Sequence, residues 1–220
     1  TLFFFTNRGR VYPLRALRIT GDTSRTTRGA PLVQLLPLAK GEQVQAMLAI
    51  QNPKEDYLLI LATRLGEVKA LKTGQLTNIR PSGLIVMDLE QEDELVSVAQ
   101  VGDAKDIVMV SEKGQAICFA VSNLTPRSRS AGGVRGIRLL GGDQLIAMAP
   151  VFPNSHLVIV SQHGYGKSTP LSRYPRHSRG GQGVRTFKVT TKSGPVAAAR
   201  VVSDAAVCQR HVEVDTDEDS

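Results

Sequence analysis

The sequence has no tryptophan, and only 5% of its 220 residues are aromatic. The absence of tryptophan excludes the repeated Trp-Asp signature of one common propeller family. Only two cysteines are present, Cys118 and Cys208, which is too few for a disulfide framework and suits a reducing compartment. We expect Cys118, within an apolar strand, to be a small core residue. The opening apolar run, Leu2–Phe5, is too short for a signal-peptide core or a membrane span.

Patterns typical of catalysis or metal binding are also missing. Cys208 and His211 form a lone C-x-x-H without the other half of a zinc site. Gly164–Lys167 is similar to the end of a phosphate-binding loop, but Ser161 stands where that motif requires glycine. We therefore interpret this stretch as a turn followed by a strand. The sequence gives no argument for a catalytic residue, a metal or a cofactor in this segment.

Four segments of the chain share one layout. Each begins with an apolar strand, turns at a glycine, continues as a second strand, and then crosses a connection to two further strands. The turn glycines follow one another at intervals of 57, 48 and 50 residues: Gly9, Gly66, Gly114 and Gly164. A repeat of this length predicts a propeller or a similar array of sheets that stack to bury both faces. We therefore predict an all-β fold of about four four-stranded blades, at residues 2–50, 57–101, 107–151 and 156–202.

The first repeat shows how the layout is applied. It predicts strands at Leu2–Thr6, Arg10–Leu14, Pro31–Leu36 and Val44–Ile50. In the second repeat, the strand Tyr57–Ala62 is apolar throughout, which is typical of a strand covered on both faces. Because the first strand starts at once, we expect the chain to belong to a longer protein. The repeat domain is predicted to span residues 1–204, and residues 205–220 are predicted to be a divergent, disordered acidic tail.

The charge balance favours a polyanionic partner. The net charge is +7 and the sequence pI is about 9.7. Five of the 20 acidic residues lie in Glu213–Asp219, so the rest of the chain has 27 basic and 15 acidic residues. Such a basic repeat body predicts binding to a polyanion. The alternative is that these charges serve solubility alone.

The basic residues concentrate in the connections of the repeats. No acid interrupts Arg127–Arg138 or Arg173–Lys188, whereas the second connection is poor in charge, with Lys69, Lys72 and Arg80. Arginine binds phosphate through two parallel hydrogen bonds. Aromatic side chains are scarce there, which favours duplex DNA over single strands. The residues that we predict to contact DNA are Arg25, Arg28, Arg127, Arg129, Arg135, Arg138, Lys167, Arg173, Arg176, Arg179, Arg185 and Lys188.

Several stretches together resemble the C-terminal domain family of DNA gyrase A. They are Thr6–Tyr12, Ser24–Pro31, Gln34–Pro37, Gly133–Leu139, Gln162–Lys167 and Tyr174–Pro175. The resemblance covers nearly the whole chain to Val202. It implies a β-pinwheel, in which neighbouring four-stranded blades exchange strands, and wrapping of duplex DNA around a basic outer rim. It also implies a cytoplasmic, nucleoid-associated or organellar location, with the remainder of gyrase A and with gyrase B as partners.

The family resemblance also implies what this segment lacks. ATP and Mg²⁺ would be used by other domains of the parent type II topoisomerase. No full copy of the family heptad Gln-Arg-Arg-Gly-Gly-Lys-Gly is present; His177–Gly183 is a partial likeness in the fourth repeat. The blade that holds the heptad is expected to precede Thr1. Two alternatives follow, the equivalent domain of topoisomerase IV and a propeller scaffold that binds an acidic protein.

Overall fold

The computed structural model describes residues 1–19, 21, 26, 29–52 and 54–203. Within this part of the chain there are fifteen strands, one helical turn of four residues, α1 (Leu32–Leu35), and four single turns of 3₁₀ helix at Ala16–Arg18, Thr73–Leu76, Val121–Asn123 and Leu171–Arg173. The strands are β1 (Leu2–Thr6), β2 (Arg10–Leu14), β3 (Val44–Ala49), β4 (Leu58–Thr63), β5 (Glu67–Lys72), β6 (Leu84–Ile85), β7 (Leu95–Gln100), β8 (Asp106–Ser111), β9 (Gln115–Ala120), β10 (Val134–Arg135), β11 (Leu145–Val151), β12 (Ser155–Ser161), β13 (Gly166–Pro170), β14 (Val184–Arg185) and β15 (Val196–Ser203).

The strands form four antiparallel sheets in a row. The strand orders are β3-β1-β2-β6, β10-β5-β4-β7, β11-β8-β9-β14 and, within the described residues, β13-β12-β15. In each of the first three sheets, three strands come from one repeat and the fourth comes from the next repeat. The predicted all-β fold of stacked blades is confirmed, and so is the strand exchange that the family resemblance implies.

Each sheet contains a hairpin with a glycine in its turn, and in the first three sheets the two hairpin strands are the central ones. The need for glycine differs along the chain. A Cβ on Gly114, whose φ is +81°, would lie 2.3 Å from the carbonyl oxygen of Phe187 in the next repeat. A Cβ on Gly164, also at φ +81°, would meet no atom within 4 Å. Gly164 serves the turn alone, whereas Gly114 also lets the next repeat pass against the hairpin. The predicted turn and strand at Gly164–Lys167 are present as the β12–β13 hairpin.

The innermost strands hold the sheets together. Strands β3, β7, β11 and β15 contact one another in this order, while β6, β10 and β14 lie at the opposite, outer edges. Apolar side chains from adjacent sheets fill the spaces between them; Ile60 of the second sheet and Phe119 of the third share one cluster and are fully buried. Burial of such side chains stabilises the array by about 1.5–3 kcal/mol each. Because β4 lies between two such clusters, residues Leu59–Thr63 are buried on both faces, as the apolar sequence predicted.

One predicted strand is wrong. Pro31–Leu36 contains the helical turn α1, in which the Leu36 amide donates to the Leu32 carbonyl at 2.9 Å. The run is apolar, but only Leu36 is buried, whereas Val33 is 69% exposed. With one anchoring side chain, the segment closes a local hydrogen bond instead of joining a sheet. The fourth strand of the first sheet is β6, from the second repeat.

A buried carboxylate ties the first sheet to the turn before β3. Glu42 is 7% exposed; its Oε1 accepts a hydrogen bond from Thr6 Oγ1 at 2.7 Å. Its Oε2 accepts from the Tyr12 hydroxyl at 3.0 Å and the Ala39 amide at 2.9 Å. Burial acts to raise the pKa of Glu42, but these hydrogen bonds outweigh it, so that the pKa is lowered. The ionised form is therefore the one that the fold stabilises.

Candidate nucleic-acid interface

Three connections run along the outer edges of the sheets, and we call them the outer segments: residues 80–88 on the first sheet, 127–138 on the second and 176–188 on the third. Near its end, the backbone of each segment donates hydrogen bonds to the carbonyl of a hairpin glycine, Gly9, Gly66 or Gly114. In the second, the Arg127 amide donates to the Ala70 carbonyl at 2.9 Å and the Gly136 amide to the Gly66 carbonyl at 2.9 Å. The third repeats these contacts, with His177 to Cys118 at 2.8 Å and Thr186 to Gly114 at 2.9 Å. Each connection therefore lies on the sheet formed by the preceding repeat.

Basic side chains recur at equivalent positions of the outer segments. Each segment holds a two-residue strand whose first side chain is half-buried and whose second is exposed. The exposed residues are Ile85, Arg135 and Arg185, at intervals of 50. Three residues further on, Asp88, Arg138 and Lys188 are exposed as well. The second and third outer segments thus present two cations each where the first presents an apolar and an acidic side chain.

Hydrogen bonds join consecutive outer segments into one surface. The Gly180 amide donates to the Gly136 carbonyl at 2.6 Å, and the Arg138 amide donates to the Gly181 carbonyl at 2.8 Å. The Arg179 guanidinium also donates to the Arg135 carbonyl, at 3.2 Å. The positions that carry the cations are therefore fixed relative to one another across two sheets.

The other predicted DNA-contacting residues have varied surroundings. Arg127 and Arg129 are exposed on the second outer segment, and Arg173 is exposed at the end of the turn that follows β13. Arg176 pairs with Asp106, with 2.6 Å between its Nη2 and Oδ2, and this hydrogen bond raises the pKa of Arg176. The exposed Lys167 donates to the Thr186 carbonyl at 3.2 Å. Arg25 and Arg28 lie outside the described residues, as do Cys208 and His211.

Lys69 is the residue at this surface whose placement sequence reasoning missed, because it was counted among the few charges of the second connection. It lies in β5 and is 1% exposed. Its ammonium group donates to the carbonyl oxygens of Val86, Arg129 and Ala131 at 2.8, 3.0 and 2.7 Å. Burial, and secondarily the Arg127 charge, lowers the pKa of Lys69 to about 8, with Asp88 acting in the opposite direction. The only sequence signal was its position in the middle of β5, between the apolar residues Val68 and Ala70.

The part of the chain that the structure describes was compared with the requirements of metal sites and membrane-spanning helices. Among the described residues, no three His, Cys, Asp or Glu side chains come together in a way that could hold a metal ion. In the same part of the chain, no helix has the length and apolar character required to cross a membrane.

Antiparallel sheets that stack through neighbouring inner strands and exchange their outer strands define the β-pinwheel class of propeller-like domains. The chain belongs to the DNA gyrase C-terminal domain family, described as a β-propeller, whose model matches residues 1–51, 57–101, 105–151 and 155–203.

Relatives and solved structures agree with this assignment. The chain is 38% identical over 202 residues to the gyrase A protein of Dehalogenimonas lykanthroporepellens, a match that covers 92% of the chain and 25% of that relative. It is 40% identical over 135 residues to the gyrase A protein of Clostridium acetobutylicum, covering 61% of the chain and 16% of the relative. The chain therefore spans about a quarter or less of these relatives.

The fold similarity extends to two solved domains. A DNA gyrase A C-terminal domain superposes with a TM-score of 0.79 at 27% identity, covering 92% of this chain and 65% of that one. The C-terminal domain of a DNA topoisomerase IV superposes with a TM-score of 0.82 at 21% identity, covering 92% and 64%. At this lower identity the second comparison shows the shared fold alone.

Proposed function

We propose that this domain binds duplex DNA along its outer segments and bends it, acting as the C-terminal domain of gyrase A. The observation that carries the proposal is the recurrence of exposed cations at equivalent positions of consecutive sheets, Arg135 with Arg185 and Arg138 with Lys188. Guanidinium and ammonium groups bind backbone phosphates without reading sequence. Contacts should therefore be independent of sequence and sensitive to salt.

Bending follows from the placement of the cations on separate sheets. The second and third outer segments lie on different blades of a stacked array, so a straight duplex would touch few of them. Smooth bending of a short duplex through tens of degrees costs about 1–6 kcal/mol. Several charge-assisted hydrogen bonds, each contributing about 1.5–3 kcal/mol, can offset that cost. We infer that binding and bending are coupled.

The role within the whole enzyme is a further step of the same proposal. Wrapping by this domain would present a crossed DNA segment to the cleavage domains of gyrase A, so that the enzyme formed with gyrase B introduces negative supercoils. ATP and Mg²⁺ would act in those other domains. The equivalent domain of topoisomerase IV remains the alternative, because this sequence holds no full Gln-Arg-Arg-Gly-Gly-Lys-Gly heptad that would distinguish the two.

Titration of a fluorescent duplex with donor and acceptor dyes at its ends tests the proposal. We expect binding of duplexes of unrelated sequence with equal affinity, a steep loss of affinity with salt, and increased energy transfer on binding. Affinity independent of salt would contradict the phosphate-contact model, and binding without a change in energy transfer would contradict bending. In the full enzyme, plasmid supercoiling with ATP distinguishes a gyrase role from relaxation and decatenation alone.

A further inference from the structure

The buried Lys69 joins the second sheet to two outer segments. Its three ammonium protons have three carbonyl acceptors, at 2.7 to 3.0 Å. Two acceptors, Arg129 and Ala131, belong to the outer segment 127–138, and the third, Val86, belongs to the outer segment 80–88. At 1% exposure Lys69 cannot itself reach a DNA phosphate. Its contribution must therefore act through the residues that it holds.

A second side chain, Gln75 in the 3₁₀ turn that follows β5, holds the same stretch. Gln75 Nε2 donates to the Arg127 carbonyl at 3.0 Å, and Gln75 Oε1 accepts from the Arg129 amide at 2.7 Å. The amide group of Gln75 thus binds the backbone on both sides of Ser128. Together, Lys69 and Gln75 make four hydrogen bonds to the backbone of Arg127–Ala131.

The third sheet provides an internal comparison. Lys69 follows its hairpin glycine, Gly66, by three residues, and the equivalent residue after Gly114 is the buried, apolar Ile117. The outer segment on the third sheet keeps the backbone contact from His177 to Cys118. It has no equivalent lysine. The ammonium group is therefore a feature of the second sheet, and docking of an outer segment does not in general require it.

We propose that Lys69 and Gln75 are positioning residues that fix the backbone of Arg127–Ala131, so that Arg127 and Arg129 are oriented for phosphate contact before DNA arrives. The inference rests on the proposed DNA binding. Ordering a surface loop at the moment of binding would reduce affinity, and ordering it beforehand removes that cost. The lowered pKa of Lys69, about 8, leaves the amine mostly protonated at neutral pH, and only the protonated form donates to all three carbonyls.

Substitutions in the 220-residue chain test the proposal with two measurements. Lys69→Met removes the ammonium group at similar length, and Gln75→Ala removes a half-buried side chain whose loss leaves the core intact. Hydrogen exchange by NMR follows the Arg127 and Ala131 amides, which do not bond to either substituted side chain. We expect faster exchange at both amides in each variant, with the His177 amide unchanged. Duplex affinity should fall about three- to tenfold per variant, equivalent to the cost of ordering one or two groups.

Lys72→Met is the matched control for charge. Lys72 lies on the same strand and is exposed, and it pairs with Asp56 at 2.5 Å instead of contacting an outer segment. The Lys72→Met substitution should leave hydrogen exchange at the Arg127 and Ala131 amides unchanged. It should also reduce duplex affinity less than Lys69→Met does. An equal loss of affinity from Lys72→Met would show that only net charge matters and would overturn the proposal.

The remaining outcomes separate the positioning role from DNA binding itself. Unchanged exchange at Arg127 and Ala131 in Gln75→Ala, whatever becomes of the lysine variant, would show that the stretch is held by other contacts and would overturn the proposal. Faster exchange in a variant that keeps full duplex affinity would overturn the claim that this order prepares Arg127 and Arg129 for phosphate contact. The order of the segment would then contribute nothing to DNA binding. If the unsubstituted chain does not bind duplex DNA, the proposed function fails, and the exchange data alone decide whether Lys69 and Gln75 position the segment.

Discussion

The four equivalent cations of the outer segments offer the sharpest test of where DNA runs. Substitution of all four by alanine removes charge without removing core, because Arg135, Arg138, Arg185 and Lys188 are exposed. Their backbone contacts to the sheets involve amides and carbonyls and are retained. The fold should therefore persist, which circular dichroism can verify before binding is measured.

The expected effect can be calculated from counterion release. Each phosphate neutralised contributes about 0.9 to the slope of log affinity against log salt concentration. If the domain contacts about eight phosphates, the unsubstituted slope is about −7, and removal of four contacts should bring it to about −3.6. Relative to 1 M salt, the same loss amounts to between three and four orders of magnitude in affinity at 0.1 M, or about 5 kcal/mol. Energy transfer across the duplex should fall together with affinity.

A variant with the same net charge provides the control. Lys40, Lys54, Lys105 and Lys192 are exposed but lie outside the outer segments. Their combined replacement by alanine should change the slope by less than about one unit. If this control loses as much slope as the test variant, or if the test variant loses less than one unit, the DNA does not follow the outer segments and our reasoning is refuted.

Three further predictions concern backbone fit, a buried carboxylate and the acidic tail. Gly183→Ala and Gly142→Ala both place a Cβ on a residue with φ near +70°, at a cost of about 1–2 kcal/mol. Only at Gly183 would that Cβ lie 2.1 Å from the Ala116 carbonyl oxygen. Urea unfolding should therefore show at least about 2 kcal/mol of additional loss of stability for Gly183→Ala, and equal losses would mean that β14 can shift freely. Glu42→Gln should lower the free energy of unfolding by about 1–3 kcal/mol at pH 7. Because the folded-state pKa of Glu42 is lowered, the difference in stability between the two proteins should vanish as pH falls through that pKa. A difference that persists in acid would contradict the stabilising role of the ionised carboxylate. Deletion of Glu213–Ser220, whose acids would compete with DNA for the cations, should tighten binding most at low salt, whereas unchanged affinity there would show that the tail takes no part.

The local elements were predictable because local physics decides them. Apolar runs that end in a glycine turn give the hairpins, and β1 and β2 are found at the predicted residues, Leu2–Thr6 and Arg10–Leu14. The outer strands are different. Each has two residues and pairs with a strand about 65 residues or more away, as Leu84 does with Val11. Because so short a strand has no periodicity of its own, sequence pattern shows that the connection exists but not which sheet it joins.

Individual charges were harder to place than elements. Lys69 was counted among the few charges of the second connection, whereas in the structure it is buried, which is rare for lysine unless its ammonium group has partners. Those partners are backbone carbonyls of Arg129 and Ala131, some 60 residues away, and no property of their side chains indicates them. Arg176 was predicted to contact DNA, and the sequence did not indicate that it pairs with Asp106, 70 residues earlier. Charge counts along the sequence indicate a basic surface, whereas the role of each cation depends on contacts that only folding creates.

The exchange of outer strands has a consequence for how such domains can change in size. Removal of residues 84–133 would join Gly83 to Val134, so that β10 would follow β5 in the chain and take the place of β6 beside β2. Strand β11 would then take the place of β7 beside β4, and β14 the place of β10 beside β5. No sheet would lose a strand, although 50 residues and one blade would be gone. The unit of duplication or loss is therefore one repeat of about 50 residues, and the cut need not coincide with the boundaries of a sheet. Blade number can change in this way without leaving an unpaired strand edge inside the array.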